Sequence, residues 1–247
     1  MSSHYLKDQY IVKRFPGAGF EVINLNSSPE PGVEIERHAK GTVNEEKLDR
    51  NIIRAKSRIK ELALCNQWDW WCTFTIDKSK HDRYDLIGFQ KDFASFLHDY
   101  NRRTPEENKV KYLLVPELHE DGAVHMHGFL RGIRPNDLYI NEHGHLTWRS
   151  YEDHFGFISM DEIKDKKKAS SYILKYMKKG MDLTVKELGA HLYYASKGLN
   201  KAETIFRGAA SLDAEWDWKG DYCRKKWYDS IDDLKKDLET YGKEIDG

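Results

Sequence analysis

Pro116-Glu117-Leu118-His119-Glu120-Asp121-Gly122-Ala123-Val124-His125-Met126-His127-Gly128 sets two imidazoles, His125 and His127, two residues apart within an apolar run. Side chains alternate across a strand, so both rings leave the same face. The preceding run, Lys111 to Leu118, predicts a partner strand that ends in the carboxylate of Glu117, and Asp121-Gly122 supplies hairpin turn chemistry. A three-residue loop over 120–122, with Gly122 in the positive-φ position, puts Glu117 directly opposite His125. A two-residue loop turns Glu117 to the other face. The first register makes a His, His, Glu cluster on one wall of a sheet, which is a metal site in outline.

Working outward, Trp68 to Asp77 predicts a second strand. Trp70, Cys72, Phe74 and Ile76 form its apolar face, and Trp71, Thr73, Thr75 and Asp77 a more polar one. Residues 44 to about 64 keep apolar positions Leu48, Ile52, Ala55, Ile59 and Leu62 at helical spacing. Tyr84 to about Asn101 does the same with Leu86, Phe89, Phe93, Phe96, Leu97 and Tyr100. Asp165 to Gly180 reads as a helix stopped by glycine. His191 to Ser196 reads as a further strand, and Ser230 to about Tyr241 as a closing helix. The first 42 residues read as irregular, with one short strand at Phe20 to Leu25. The stretch after the hairpin, around Pro135-Asn136-Asp137 and His143-Gly144-His145, reads as loose. The order fits an α+β fold, an antiparallel sheet with helices on one or both faces. The expected division is an N-terminal extension (1–43), a central domain (44–200) and a C-terminal extension (201–247) packing on or beside the core.

With 40 Lys plus Arg against 41 Asp plus Glu, the net charge is -1, so any footprint for nucleic acid must be local rather than global. Three cysteines without Cys-x-x-Cys spacing argue against a disulfide framework or a thiolate zinc site. Neither a signal peptide nor a run of membrane length is present, and the expectation is a cytoplasmic protein without a membrane partner. No Gly-x-x-x-x-Gly-Lys-Ser/Thr loop occurs, so no ATPase is expected in the chain.

A second constellation lies on the helix at 165–180. Tyr172, Lys175, Tyr176 and Lys179 follow i, i+3, i+4, i+7 and share one stripe, while Ile173, Leu174 and Met177 point the other way. Two phenols and two ammonium groups on one face suit chemistry on a phosphodiester, with tyrosine as nucleophile and lysine neutralising phosphate oxygens. Lys164, Lys166, Lys167 and Lys168 just upstream form the densest basic run, a local phosphate clamp or simply a solvated helix start. His143 and His145 repeat the His-x-His spacing but sit with glycine in turn-like surroundings, without a flanking apolar strand. The tail aromatics Trp216, Trp218, Tyr222, Trp227 and Tyr228 read equally as base-stacking groups or as caps on a core.

His125-Met126-His127 followed by Tyr-x-x-Lys-Tyr-x-x-Lys resembles the HUH endonucleases, specifically rolling-circle replication initiators (Rep proteins) of phage and plasmid type with a two-tyrosine motif. Cys72 to Asp77 resembles their first motif, Glu117 to His127 their metal motif, and Tyr172 to Lys179 their nucleophile helix. The resemblance implies a ferredoxin/RRM-like core, one divalent ion (Mn²⁺ or Mg²⁺) on His125, His127 and Glu117, and nicking of single-stranded or hairpin origin DNA. It implies attack by Tyr172, then Tyr176, through a 5′-phosphotyrosine, with Lys175 and Lys179 assisting. A host helicase and DNA polymerase would be partners. Relaxases usually place the tyrosine before the histidines, and single-strand transposases are usually shorter with one tyrosine. A DNA-binding module with a structural metal is the remaining alternative.

Overall fold

The computed structural model describes residues 5–6, 9–26, 28–29, 45–179, 191–220, 222–241 and 245. The described elements are β1 (Tyr5–Leu6), β2 (Gln9–Phe15), β3 (Gly19–Leu25), β4 (Ser28–Pro29), α1 (Glu45–Cys65), β5 (Trp70–Thr75), α2 (Leu86–Asn101), β6 (Lys111–Leu118) and β7 (Val124–Arg131). They continue with β8 (Leu138–Ile140), β9 (Leu146–Trp148), α3 (Arg149–His154), β10 (Ile158–Glu162), α4 (Lys166–Lys179) and β11 (Tyr194–Ala195). The chain closes with β12 (Glu203–Leu212), β13 (Trp218–Lys219), β14 (Cys223–Tyr228), α5 (Ile231–Asp237) and β15 (Leu238–Thr240). These form two units, one over Asp49–Asn200 and one combining Met1–Leu48 with Lys201–Gly247.

The central unit is built on an antiparallel sheet in the order β11-β6-β7-β5-β10-β9-β8. Alternation along β5, β6 and β7 gives it two apolar faces of different character. On one face Cys72, Phe74, Leu114, Met126 and Leu130 pack with Leu86, Phe89, Phe93 and Leu97 of α2 and with Trp148, Tyr151 and Phe155. Each fully buried aromatic here contributes about 2–3 kcal/mol, and ring contacts such as Phe74–Phe93 at 5.7 Å and Phe74–Tyr151 at 5.0 Å fix their orientation. This face anchors the fold. On the opposite face Leu113, Val115 and Phe129 pack with Ala55, Ile59 and Leu62 of α1 and with Ile173 of α4. Helices therefore cover both faces, and the fold is α+β.

α2 starts where Asp85 accepts the Gly88 N–H at 2.8 Å, an N-cap. Close passage of β6 and β7 requires Gly128, because a Cβ there would stand 2.0 Å from the Leu113 carbonyl oxygen. The stretch expected to be loose instead contains β8, β9, α3 and β10, and β10 pairs with β5 through Met160↔Cys72 and Ile158↔Phe74. Its five residues are too few for alternation to stand out, and only the side chains they bury against the α2 face reveal them.

In the other unit, segments from the two ends of the chain share one antiparallel sheet, β13-β14-β3-β2-β12-β15. The expected irregular N-terminus is corrected here. β2 pairs with β3 along its whole length, joined by a turn over 16–18, and its Tyr10, Ile11, Val12 and Phe15 are the aromatic and β-branched residues that favour strands. The closing helix also ends earlier than expected, at Asp237, because Leu238 leaves it to pair with Leu212 of β12 and is buried. The tail aromatics divide. Tyr228 is in the core, Trp216 packs against it, and Trp227 lies on Phe15 at 5.0 Å, while Trp218 and Tyr222 are exposed.

Candidate active site on the histidine hairpin

The hairpin β6–β7 has the three-residue-loop register. Glu117 pairs with His125 and Leu118 with Val124, and the His119 N–H donates to the Ala123 carbonyl at 2.9 Å, leaving 120–122 as the loop. Gly122 takes φ 82°, a conformation that favours glycine. The tip is held from outside: the Val124 N–H donates to the Arg83 carbonyl at 2.9 Å, and the Arg83 guanidinium pairs with Asp121 at 3.0 Å. Asp121 also accepts the Ala123 N–H at 3.0 Å, and this bond does most to hold its carboxyl below the usual carboxylate range. A slip of one residue would carry Glu117 to the α2 face, so these contacts set the chemistry of the wall.

Glu117, His125 and His127 stand together on the face covered by α1 and α4. His127 is nearly buried. Its Nε2 lies 2.6 Å from Glu117 Oε2 and its Nδ1 lies 3.1 Å from the Thr73 hydroxyl, the cross-strand neighbour on β5. With Nε2 donating to the carboxylate, Nδ1 accepts from Thr73, so both ring nitrogens are used by one tautomer. The His125 ring stands 6.5 Å from that of His127 and is stacked on His119 at 4.0 Å. His119 extends the wall to three imidazoles. The parity of β6 includes it, and its diagonal position to His125 across the ladder is what brings the rings together.

Burial pushes the His125 imidazole below its ordinary value, and the imidazoles of His119 and His127 act in the same direction against Glu117 and Asp121. Burial also lowers His127, opposed by Glu117. Both rings are thus biased toward the neutral form that can bind a metal. A folded-state value below the unfolded one means that the unfolded chain takes up protons more readily. This stabilisation is complete above the ordinary histidine range, about 6.5, and is lost as pH falls through the lowered folded values. In EDTA the melting temperature should therefore drop on acidification below about pH 6.5, and His125→Asn should drop less. Equal slopes in the two proteins would show that His125 is not the group responsible.

Among the described residues, no three His, Cys, Asp or Glu side chains stand ready-made around one point. Glu117 and His127 close on each other instead. Two ligands each about 2.0–2.2 Å from one ion and at right angles stand about 3 Å apart, whereas this pair is 2.6 Å apart. The donor set of two neutral imidazoles and a carboxylate on one face fits a divalent ion after parting by a few tenths of an ångström. His143 and His145, by contrast, lie in the exposed β8–β9 turn, where Asn141 Oδ1 accepts both backbone N–H groups at 3.0 Å.

The helix α4 covers the same sheet face as the cluster, with Ile173 fully buried against Leu113, Val115 and Phe129. Tyr172 is 43% exposed, and its ring meets Trp71 edge-on at 5.0 Å. Trp71 is two residues along β5 from Thr73, about 6.6 Å, so the tyrosine contact adjoins the histidine wall along one strand. Lys175, Tyr176 and Lys179 belong to α4, but their side chains lie outside those described, as does Gly180. Lys164, Lys167 and Lys168 are exposed at the start of the helix. No described helix is long and apolar enough to cross a membrane. Trp71, Thr73 and His119 are the site-forming residues that motif reading leaves out.

No curated protein and no solved structure matches the chain. A family model described as replication-associated protein, of the ORF2 group, does match, over residues 69–181, a span that begins just before β5 and contains both the histidine hairpin and α4; this chain is similar to that family there, and the similarity supports a replication initiator.

Proposed function

We propose that this replication initiator is a metal-dependent, HUH-type tyrosine endonuclease that nicks and rejoins single-stranded origin DNA to start rolling-circle replication. The observation that carries the reading is the common sheet face: His125, His127 and Glu117 project from the face on which the Tyr172 helix packs. His125, His127 and Glu117 would hold one divalent ion, Mn²⁺ or Mg²⁺. When bound, such an ion polarises the scissile phosphate and favours in-line displacement.

The chain's own residues supply the rest. The Tyr172 phenolic oxygen attacks phosphorus, the P–O3′ bond breaks, and the 3′-oxygen leaves and takes up a proton as a free hydroxyl. The 5′-phosphate remains on the tyrosine, so phosphodiester energy is conserved and rejoining needs no nucleotide cofactor. Tyr176, one turn on, serves the second cleavage. Lys175 and Lys179 neutralise phosphate charge. Thr73 suits either state of His127: its hydroxyl donates to Nδ1 when Nε2 is protonated, and accepts from Nδ1–H when Nε2 binds metal. Unwinding and synthesis then fall to a host helicase and polymerase, in the cytoplasm of the host.

The test is incubation with Mn²⁺ and single-stranded DNA from the element that carries the gene. The expected result is a free 3′-hydroxyl and a protein covalently joined to the 5′ side, resistant to denaturant. A product carrying 3′-phosphate, or cleavage without protein attachment, would overturn the tyrosine mechanism.

A further inference from the structure

Beside Tyr172 lies an open groove of about 690 Å³, outside the histidine wall, lined among others by Trp71, Asp161, Lys164, Lys167, Lys168 and Tyr172. We propose that this groove holds an unpaired nucleotide of single-stranded DNA, its base against Trp71 and Tyr172 and its phosphate toward the lysines. The proposal rests on the nicking reading and names the subsite through which the substrate strand is held.

The two edges of the groove differ in charge, which gives an entering nucleotide one orientation. Lys164, Lys167 and Lys168 are exposed on the helix side. On the sheet side Asp161 stands directly opposite Trp71 in the β10–β5 ladder and is also exposed. A phosphate is drawn to the first edge and repelled by the second, while a carboxylate can accept a proton from a base amino group. Trp71 is braced from below by Phe129, edge-on at 5.3 Å, and Phe129 is itself stacked on Trp68 at 5.5 Å. A braced ring loses little freedom when a base stacks on it. The N-terminus of α4 is not the phosphate site, since Asp165 already accepts the Lys168 N–H at 3.0 Å. Phosphate contact therefore falls to the lysine side chains. A duplex fits poorly, because its bases are stacked inside and cannot reach an indole in a groove.

The test is binding of labelled oligothymidylate to the full chain in EDTA, followed by fluorescence anisotropy across a salt series. Trp71→Ala should weaken binding by roughly 5- to 100-fold, and Trp71→Phe by much less, since stacking tolerates any aromatic. The triple variant Lys164→Gln, Lys167→Gln, Lys168→Gln should lower the slope of log affinity against log salt by about 2, given about 0.7 per phosphate on a single strand. Three results would each overturn the proposal: no binding by the unaltered chain, unchanged binding in both the Trp71→Ala and lysine variants, or equal competition by duplex DNA. The lysine variant and Trp71→Phe keep the test decisive should Trp71→Ala misfold. Because EDTA silences metal-dependent cleavage, a failure here leaves the nicking reading standing. Absence of a covalent adduct in Mn²⁺ would overturn that reading and leave the groove.

Discussion

A Tyr172→Phe, Tyr176→Phe double variant should form no covalent adduct with origin DNA, a loss of several orders of magnitude, as expected when a nucleophile is removed. The change deletes only two hydroxyls. Phenylalanine at 172 keeps the edge-on contact with Trp71, and the anchor of the helix is Ile173 rather than either tyrosine. Melting should therefore move by no more than about 0.5 kcal/mol, the range of surface substitutions. Binding of single-stranded DNA should persist, because the stacking face is retained. Tyr172→Phe alone should leave a reduced adduct made by Tyr176. The adduct is read on a denaturing gel with end-labelled DNA. If it survives in the double variant, the nucleophile lies elsewhere and the α4 stripe has another use.

How far the chain could be read before its fold was known follows from the range of the interactions involved. The hairpin was legible because its signal is local: alternating residues on both sides of Asp121-Gly122, and a loop length that only one register satisfies. α1 and α2 were legible for the same reason, through helical spacing maintained over several turns. The sheet of the second unit was not. β12 pairs with β2, with Glu203 opposite Arg14, almost the full length of the chain away, and no window of sequence contains both partners. The late strand β15 shows the limit of helical spacing. Leu234 and Leu238 sit four apart as in one helix, yet Leu238 is buried from a strand. Within the site, Glu117, His125 and His127 were read from parity alone, whereas His119 and Thr73 needed the cross-strand neighbours. His119 reaches His125 diagonally, and Thr73 reaches His127 from a strand some fifty residues earlier.

His127→Ala should abolish Mn²⁺ binding and nicking together. Among the candidate ligands His127 is the most enclosed, held by Thr73 on one nitrogen and Glu117 on the other, so no solvent-exposed group can take its place. Titration of Mn²⁺ followed by paramagnetic resonance should show saturable binding in the unaltered chain and none at comparable concentration in the variant. Thr73→Val separates direct from indirect effects. It removes only the hydroxyl that orients the ring, and a loss of about 10- to 100-fold in metal affinity is the size expected for such a supporting group. Stability in EDTA supplies a further contrast. Losing His127 leaves the Glu117 carboxylate half-buried without its 2.6 Å partner, which costs about 1–3 kcal/mol even without metal. A structural role alone predicts that stability loss with Mn²⁺ affinity preserved at His125 and Glu117. A metal centre predicts that affinity disappears and that added Mn²⁺ no longer raises the melting temperature. Unchanged Mn²⁺ affinity in His127→Ala would remove the hairpin from the catalytic reading and leave the Glu117–His127 pair as a buried element of the fold.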